Sequence, residues 1–377
     1  MNAQIAFLSG TYHLIHIPLN VYATLLQPIL RILLPQSQSL QVSHDSSEPE
    51  LEQLGLTIDG QHTFLNISIT PIECSIVCHS AWTRNVFEPA VKSLPKDAAK
   101  AVSISRDTYT ILSVISAGLD AASRVVDLSL PAALAGIPIF FITTYYSDFI
   151  LSPAKDRQNV IQALLAKGFE LTENQSNFVS SSNYGHRRGS SQPQSPPNTP
   201  PPSTVSEMQT RTFDLLKKRN VMPYIDDGLE LVQCSGRETA PQLSEIFSPR
   251  PSMGRNVASN GHRRTWVDHI DPKFYTCITS ALVSQPRFIS LLGIFGDSLV
   301  GDTDHVLIPI FLDLVNLPFE ASGIVCGVAG RLVQEMTMVD SPELSYLSTA
   351  RAGAVILSQE QSALALGILT PLLTKEA

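Results

Sequence analysis

Residues 134–152, LAGIPIFFITTYYSDFILS, constrain the fold more than any other stretch. Two apolar runs, 137–142 and 149–151, flank a polar turn at 143–148. Ala121, Val125 and Leu128 precede them at helical spacing, and Val160, Leu164 and Leu165 follow on a closing helix over 156–167. Gly118 opens the first helix, Pro131 lies inside it as a potential kink, and Gly136 is a natural stop before the first strand. With a strand at 108–114 in front, the order is β, α, β, β, α. A short strand at 169–171 can follow.

The same grammar recurs on both sides. Residues 12–17 read as a strand, 21–34 as an apolar helix ended by Pro35, and 63–69 and 74–77 as strands around Thr70-Pro71. Residues 36–52 read as a polar loop and 82–99 as a mixed connector. Near the other end, 306–312 read as a strand, 320–333 as a helix, 344–348 and 354–357 as a strand pair, and 360–369 as a closing helix. The fold class expected is α/β (α+β in detail), with ferredoxin-like βαββα modules in tandem.

Between these regions the composition changes. Residues 173–212 form a Ser/Pro linker with the core SSQPQSPPNTPPPST, which has too little apolar surface to offset its ordering entropy. Residues 213–265 read as a partly ordered insert, in which FDLLKKRNVMPYIDDGLELV suggests a helix, a turn at Asp226-Asp227-Gly228 and a short strand. Residues 270–304 read as a short or degenerate module, with a strand at 274–279 and a glycine-interrupted apolar stretch at 287–299. The expected division is therefore module 1 at 7–95, module 2 at 105–172, linker, insert, module 3 at 270–304 and module 4 at 305–372.

The formal charge of -8 argues against nucleic acid as the main partner, because phosphate binding needs a basic surface. The five cysteines are odd in number and mostly scattered, which suggests a reducing compartment. The first apolar run has no basic region before it, and no run is long enough to cross a bilayer. A cytoplasmic location is expected. No G-x-S-x-G, phosphate loop or H-E-x-x-H occurs. Cys74 and Cys78 lack a matching pair and read as strand residues, and His269 near Asp268 and Asp271 is at most a metal edge without further ligands at suitable spacing. Gly323, Gly327 and Gly330 are spaced for close helix packing, not for a dinucleotide turn. Neither metal nor cofactor is expected, and the chain is not expected to be an enzyme. In the linker, Ser190 follows Arg187-Arg188-Gly189, while Ser195 and Thr199 precede prolines. All three are candidate phosphorylation sites that would change the linker's charge.

These modules resemble the ACT domain, and three motifs resemble the CASTOR family of cytosolic amino-acid sensors. They are ITTYYSDFIL (142–151), FEASGIVCGVAG (319–330) and YLST (346–349). FLSGTYHLIHIP and ILRILLP also fit the start of that family's first module. The resemblance covers roughly residues 7–172 and 270–372. It implies four ACT modules packed in pairs, an amino acid held between modules 2 and 4, and action through a GATOR-like complex on TOR signalling. Carried over by position, the ligand contacts fall at Ile137, Pro138 and Ile139, at Phe319, Glu320, Ala321, Ser322 and Gly323, and at Ser348, Thr349, Ala350 and Gly353.

The departures bear on the ligand. The family's arginine sensor has a glutamate where this chain has Ala321 and an aspartate where it has Gly353. It has a phenylalanine at the place of Ala350 and a serine at that of Pro138. A guanidinium favours carboxylate partners, so arginine is disfavoured and a small apolar or polar amino acid fits better. Backbone N–H groups at the start of the helix after Phe319 favour an anion, and Gly323 leaves room for its approach. Ser322 either caps that helix or bonds the ligand. Asp148 either pairs at the module interface or satisfies its own turn. The alternative function is a structural adaptor or regulatory subunit with an empty cleft. Exposed sheet edges are compatible with a homodimer.

Overall fold

A computed structural model describes residues 4–34, 54–56, 62–115, 123–145, 147–171, 200–236, 279–283, 299–337 and 342–374. Ser190, Ser195 and Thr199, the loop at 36–52, and most of the segments expected at 274–279 and 287–299 lie outside the described residues.

Alternation of side chains builds two faces on each strand. In β2 (Tyr12–Pro18), Tyr12 and Leu14 point one way while Ile15 and Ile17 point the other. β3 (Asn66–Ile69) and β4 (Glu73–His79) follow, both antiparallel. Cys74, Ile76 and Cys78 of β4 pack with α1 (Leu26–Leu33), and Val77 points to the opposite face. The expected connector at 82–99 is instead mostly helical. It runs from Ser80 through Phe87 into α2 (Glu88–Lys92), then α3 (Lys96–Ala101). Pro89 lies at the start of α2, directly after the helical turn Thr83–Phe87. β5 (Ser103–Ile104) returns to β2.

The second unit comprises β6 (Tyr109–Ile115), α4 (Arg124–Leu134), β7 (Phe140–Thr143), β8 (Asp148–Pro153) and α5 (Arg157–Ala166). Pro131 is accommodated inside α4, and Gly136 at φ +70 marks the turn out of the helix. The first strand of the pair begins at Phe140, later than the expected 137. β9 (Glu170–Leu171) lies parallel to β1 (Gln4–Phe7), and β1 runs antiparallel to β6. The N-terminal strand therefore completes the second unit and not the first, so the boundary expected at 7–95 does not describe a self-contained piece.

The remaining chain repeats this plan. α6 (Val205–Lys218) begins inside the expected linker, which is corrected accordingly. β10 (Pro223–Ile225) and β11 (Leu229–Gly236) follow, and β12 (Thr279–Val283) pairs with β11. The long β13 (Leu299–Asp313) pairs first with β11 and then with β10 and β15 (Ala352–Ser358). α7 (Ile324–Met336), β14 (Ser345–Ser348) and α8 (Gln359–Leu373) complete it.

The sheet order is β12-β11-β13-β15-β14-β7-β8-β6-β2-β4-β3. Around the β14/β7 seam it is nearly a mirror: β15 answers β8, β13 answers β6, β11 answers β2 and β12 answers β4. β10 on β13 answers β1 on β6. The helices α4 to α8 share one core with one face of the central strands. On the opposite face, Ile111, Phe149 and Leu151 pack against Tyr12, Leu14 and Val77 of the first unit. This mixed antiparallel α/β architecture of ferredoxin-like units is the fold class expected.

Candidate functional site

The seam between β7 and β14 is short. Leu347 pairs with Ile142, and two side chains extend the ladder. The Phe141 N–H donates to Ser348 Oγ at 2.9 Å, and the Tyr346 N–H donates to Thr143 Oγ1 at 3.0 Å. Ser348 and Thr143 thus replace missing backbone partners and lock the two units edge to edge.

Beside this seam, on the helix-bearing face, lies a cavity of about 60 Å³. Pro138 and Ile139 approach from the segment before β7, and Phe319 and Ala321 from the loop before α7. Ser348, Thr349 and Ala350 approach from the end of β14. Ile324 and Val325, the first residues of α7, also line it. Gly323 caps α7 with φ +82 and makes no side-chain cap bond, so the helix start is left without a side-chain acceptor.

Tyr346 also lines this cavity. It is 1% exposed, and its hydroxyl has no hydrogen-bond partner among the described residues. Burial raises the phenol's pKa, so it stays protonated and can donate. The hydroxyl lies over Gly353, where a Cβ would come within 2.8 Å of it. Gly353 thus makes room for Tyr346.

A larger cleft of about 780 Å³ adjoins, with Pro138 and Phe319 in both walls. Glu320 and Ser322 line this cleft, as do Lys155 and Arg211. Lys155 bonds Asp107 at 2.7 Å, and Arg211 pairs with Glu207. A third cavity, of about 130 Å³, lies on the opposite face of the sheet. It has Phe64 and Ile67 from around β3 on one side and Ile142 and Leu347 on the other.

Nine carried-over positions therefore meet around the two adjoining cavities: Pro138, Ile139, Phe319, Glu320, Ala321, Ser322, Ser348, Thr349 and Ala350. Three do not. Ile137 is a core residue whose N–H bonds Ala132 O. Gly353 lies under Tyr346. The space beside Gly323 is taken by Thr212 Oγ1 and Met208 Sδ of α6, at 3.2 and 3.3 Å from a Cβ built there, so the missing side chain makes room for α6. Ser322 does not cap α7; Gly323 holds the cap position.

Of the two roles open to Asp148, closing its own turn is not the one found. It is fully buried, and Arg124 Nε lies 2.9 Å from Oδ2, an ion pair not aligned as a hydrogen bond. Burial pushes its pKa up to about 6, against the opposing pull of Arg124 and Thr143. The turn is closed instead by Thr144 and Ser147, with the Thr144 hydroxyl donating to Ser147 O at 2.7 Å. No metal-ligating cluster occurs among the described residues. No described helix is long and apolar enough to cross a membrane.

Sequence reasoning missed Tyr346 as a cavity residue and α6 as a wall of the cleft. A signal for α6 was present: Thr204 and Glu207 form a capping pattern, and the Glu207 N–H donates to Thr204 Oγ1.

Residues 104–166 match the ACT domain. No match was found among curated proteins. Among solved structures, the regulatory subunit of aspartate kinase from Thermus thermophilus is 13% identical, over 43% of this chain and 96% of that chain, with a TM-score of 0.26. Aspartate kinase from Synechocystis is 11% identical over 99% of this chain and 56% of that one, at 0.32. A protein from Agrobacterium tumefaciens is 17% identical over 46% and 93%, at 0.28. Likenesses this distant do not extend to function.

Proposed function

We propose, proceeding from the ACT domain matched at residues 104–166, that this chain is a non-enzymatic amino-acid-binding regulator. Its ligand is held at the β7/β14 seam. One observation carries the reading: Tyr346, whose buried hydroxyl has no partner among the described residues, and the start of α7, which has no side-chain cap, are both walls of the same cavity. A carboxylate bound there would accept from the N–H groups at the helix start and from the Tyr346 hydroxyl turned toward it. Apolar walls and the absence of Asp or Glu from the smaller cavity favour a small apolar or polar amino acid over arginine. The charged groups of the adjoining cleft are available to the ligand's amine.

The division into four ACT-type modules, with 1 paired to 2 and 3 to 4, belongs to the same proposal. So do a cytoplasmic location and a CASTOR-like role in TOR signalling through a GATOR-like complex, supported by the resemblance of residues 142–151, 319–330 and 346–349. Phosphorylation at Ser190, Ser195 or Thr199 would tune it, and homodimerisation through exposed edges fits the same picture. The second reading is an adaptor with a permanently empty cleft.

A thermal-shift screen of the full chain against the common amino acids separates the two, because a ligand that binds only the native state raises its melting temperature. The adequate control is Tyr346→Phe. Deleting the orphan hydroxyl is expected to stabilise the unliganded protein by about 1 kcal/mol while weakening the ligand about tenfold. A ligand unaffected by this change binds elsewhere, and no shift with any amino acid favours the adaptor.

A further inference from the structure

Glu73 is fully buried at the start of β4, and its carboxylate is divided between two parts of the chain. Oε2 lies 2.5 Å from His16 Nδ1 on β2. Oε1 accepts the Thr349 hydroxyl at 2.6 Å and the Arg351 N–H at 2.5 Å. Two residues further along the same face of β4, Ser75 Oγ accepts the Ala350 N–H at 3.0 Å. The turn between β14 and β15 is thus gripped by the first unit.

That turn is also a wall of the candidate cavity, through Thr349, Ala350 and Ala352. Its Arg351 guanidinium stacks 4.3 Å from the ring centroid of Phe319, the residue shared by the cavity and the cleft. A line of contact therefore runs from His16 and Glu73 through Arg351 to Phe319. Elementary core packing does not require a buried carboxylate at position 73, because burying a charge costs free energy unless every lone pair is used.

We infer that Glu73 is a positioning residue. It sets the shape of the cavity from the N-terminal unit and couples ligand occupancy to that unit. The coupling is reciprocal: a ligand that orders residues 349–352 strengthens the hold on β4, and a partner that displaces β2 or β4 weakens the ligand. The role in ligand control rests on the binding reading above; the grip itself does not.

The test uses the full chain and three variants: Glu73→Gln, Glu73→Ala and Ser75→Ala. Amide hydrogen exchange comes first and needs no ligand. Glu73→Gln keeps an acceptor oxygen for Arg351 and is expected to preserve its protection. Glu73→Ala is expected to speed exchange of the Arg351 amide about tenfold or more, with Val355 and Leu357 of β15 unchanged. Ser75→Ala, which leaves Glu73 in place, is expected to do the same at Ala350 alone. If Glu73→Ala fails to fold, Thr349→Val, which removes the hydroxyl that Glu73 accepts, takes its place, with faster exchange at Arg351 expected and unchanged exchange there overturning the role of Glu73. Unchanged exchange at Ala350 and Arg351, or equal acceleration across β15, overturns the grip.

The second arm measures affinity for glycine, L-alanine and L-valine as probes by calorimetry. Weaker binding in Glu73→Ala with recovery in Glu73→Gln supports the coupling. Equal affinities beside altered exchange overturn the coupling but leave the binding reading intact. Altered exchange with no binding of any probe to the parent protein overturns the role in ligand control together with that reading.

Discussion

Gly327→Ala sets two known effects against each other. In a helix interior, alanine is favoured over glycine by about 1 kcal/mol. At Gly327, however, the new Cβ would stand 2.7 Å from Thr212 Cγ2 and 2.9 Å from both Cβ and Oγ1 of that residue. Thr212 is buried, β-branched and fixed on α6, so its Cβ cannot move aside without moving the helix. Overpacking of this kind costs about 1–3 kcal/mol, so the net change runs from about zero to a loss of about 2 kcal/mol. Gly330→Ala meets Gln209 Nε2 at 3.2 Å, the far end of a long side chain, and Val126 Cγ1 at an ordinary 3.8 Å, and Gly367→Ala meets nothing within 4 Å. Both are expected to gain a few tenths to about 1 kcal/mol. Urea unfolding of the three variants reads the series, and Thr212→Ala in the Gly327→Ala background is expected to restore part of the loss. Should Gly327→Ala stabilise as much as Gly367→Ala, α6 does not pack on α7 as described.

Asp148 and His79 should give opposite pH trends in one window. Asp148 rises from 3.8 to about 6 through burial, so its stability contribution is present below pH 3.8 and lost as pH rises through 6, by about 3 kcal/mol. His79 falls from 6.5 to about 4, by burial first and then by nearby Arg84, His62 and His13, so its contribution is present above 6.5 and lost as pH falls through 4. Between pH 4 and 6 these two contributions oppose and nearly cancel each other, while His62, also lowered by burial, adds to the His79 trend. Asp148→Asn should become more stable as pH rises and His79→Asn less stable, as urea midpoints at several pH values would show; parallel trends would refute these assignments. Gly353→Ala, pressed at 2.8 Å against the Tyr346 hydroxyl, is expected to cost about 1–3 kcal/mol, and markedly less in a Tyr346→Phe background, by a double-mutant unfolding cycle.

The strand pairs at Phe140–Thr143 with Asp148–Pro153, and at Ser345–Ser348 with Ala352–Ser358, were legible because each is a local hairpin with its own polar turn. β1 was not, because its partners β6 and β9 lie far along the chain and four residues carry little pattern. The seam cavity was approached through motif positions, which brought Pro138, Phe319 and Ala350 together. The buried carboxylate behind one of its walls escaped for a physical reason. Glu73 meets Thr349 across 276 positions, and nothing local marks a carboxylate that will be buried. The contact of α6 with Gly323 was not legible either, because glycine serves equally a ligand's approach and a helix contact.

The near-mirror order of the strands has a consequence for stoichiometry. Asp148 pairs with Thr143 and Val114, as Gly353 pairs with Ser348 and Leu312. Arg124 begins α4 as Ile324 begins α7. At the first of these matching positions the chain supplies its own guanidinium and carboxylate, and at the second it has Ile324 and Gly353 instead. If the ligand proposed above binds beside the start of α7, a titration is expected to saturate at one equivalent per chain.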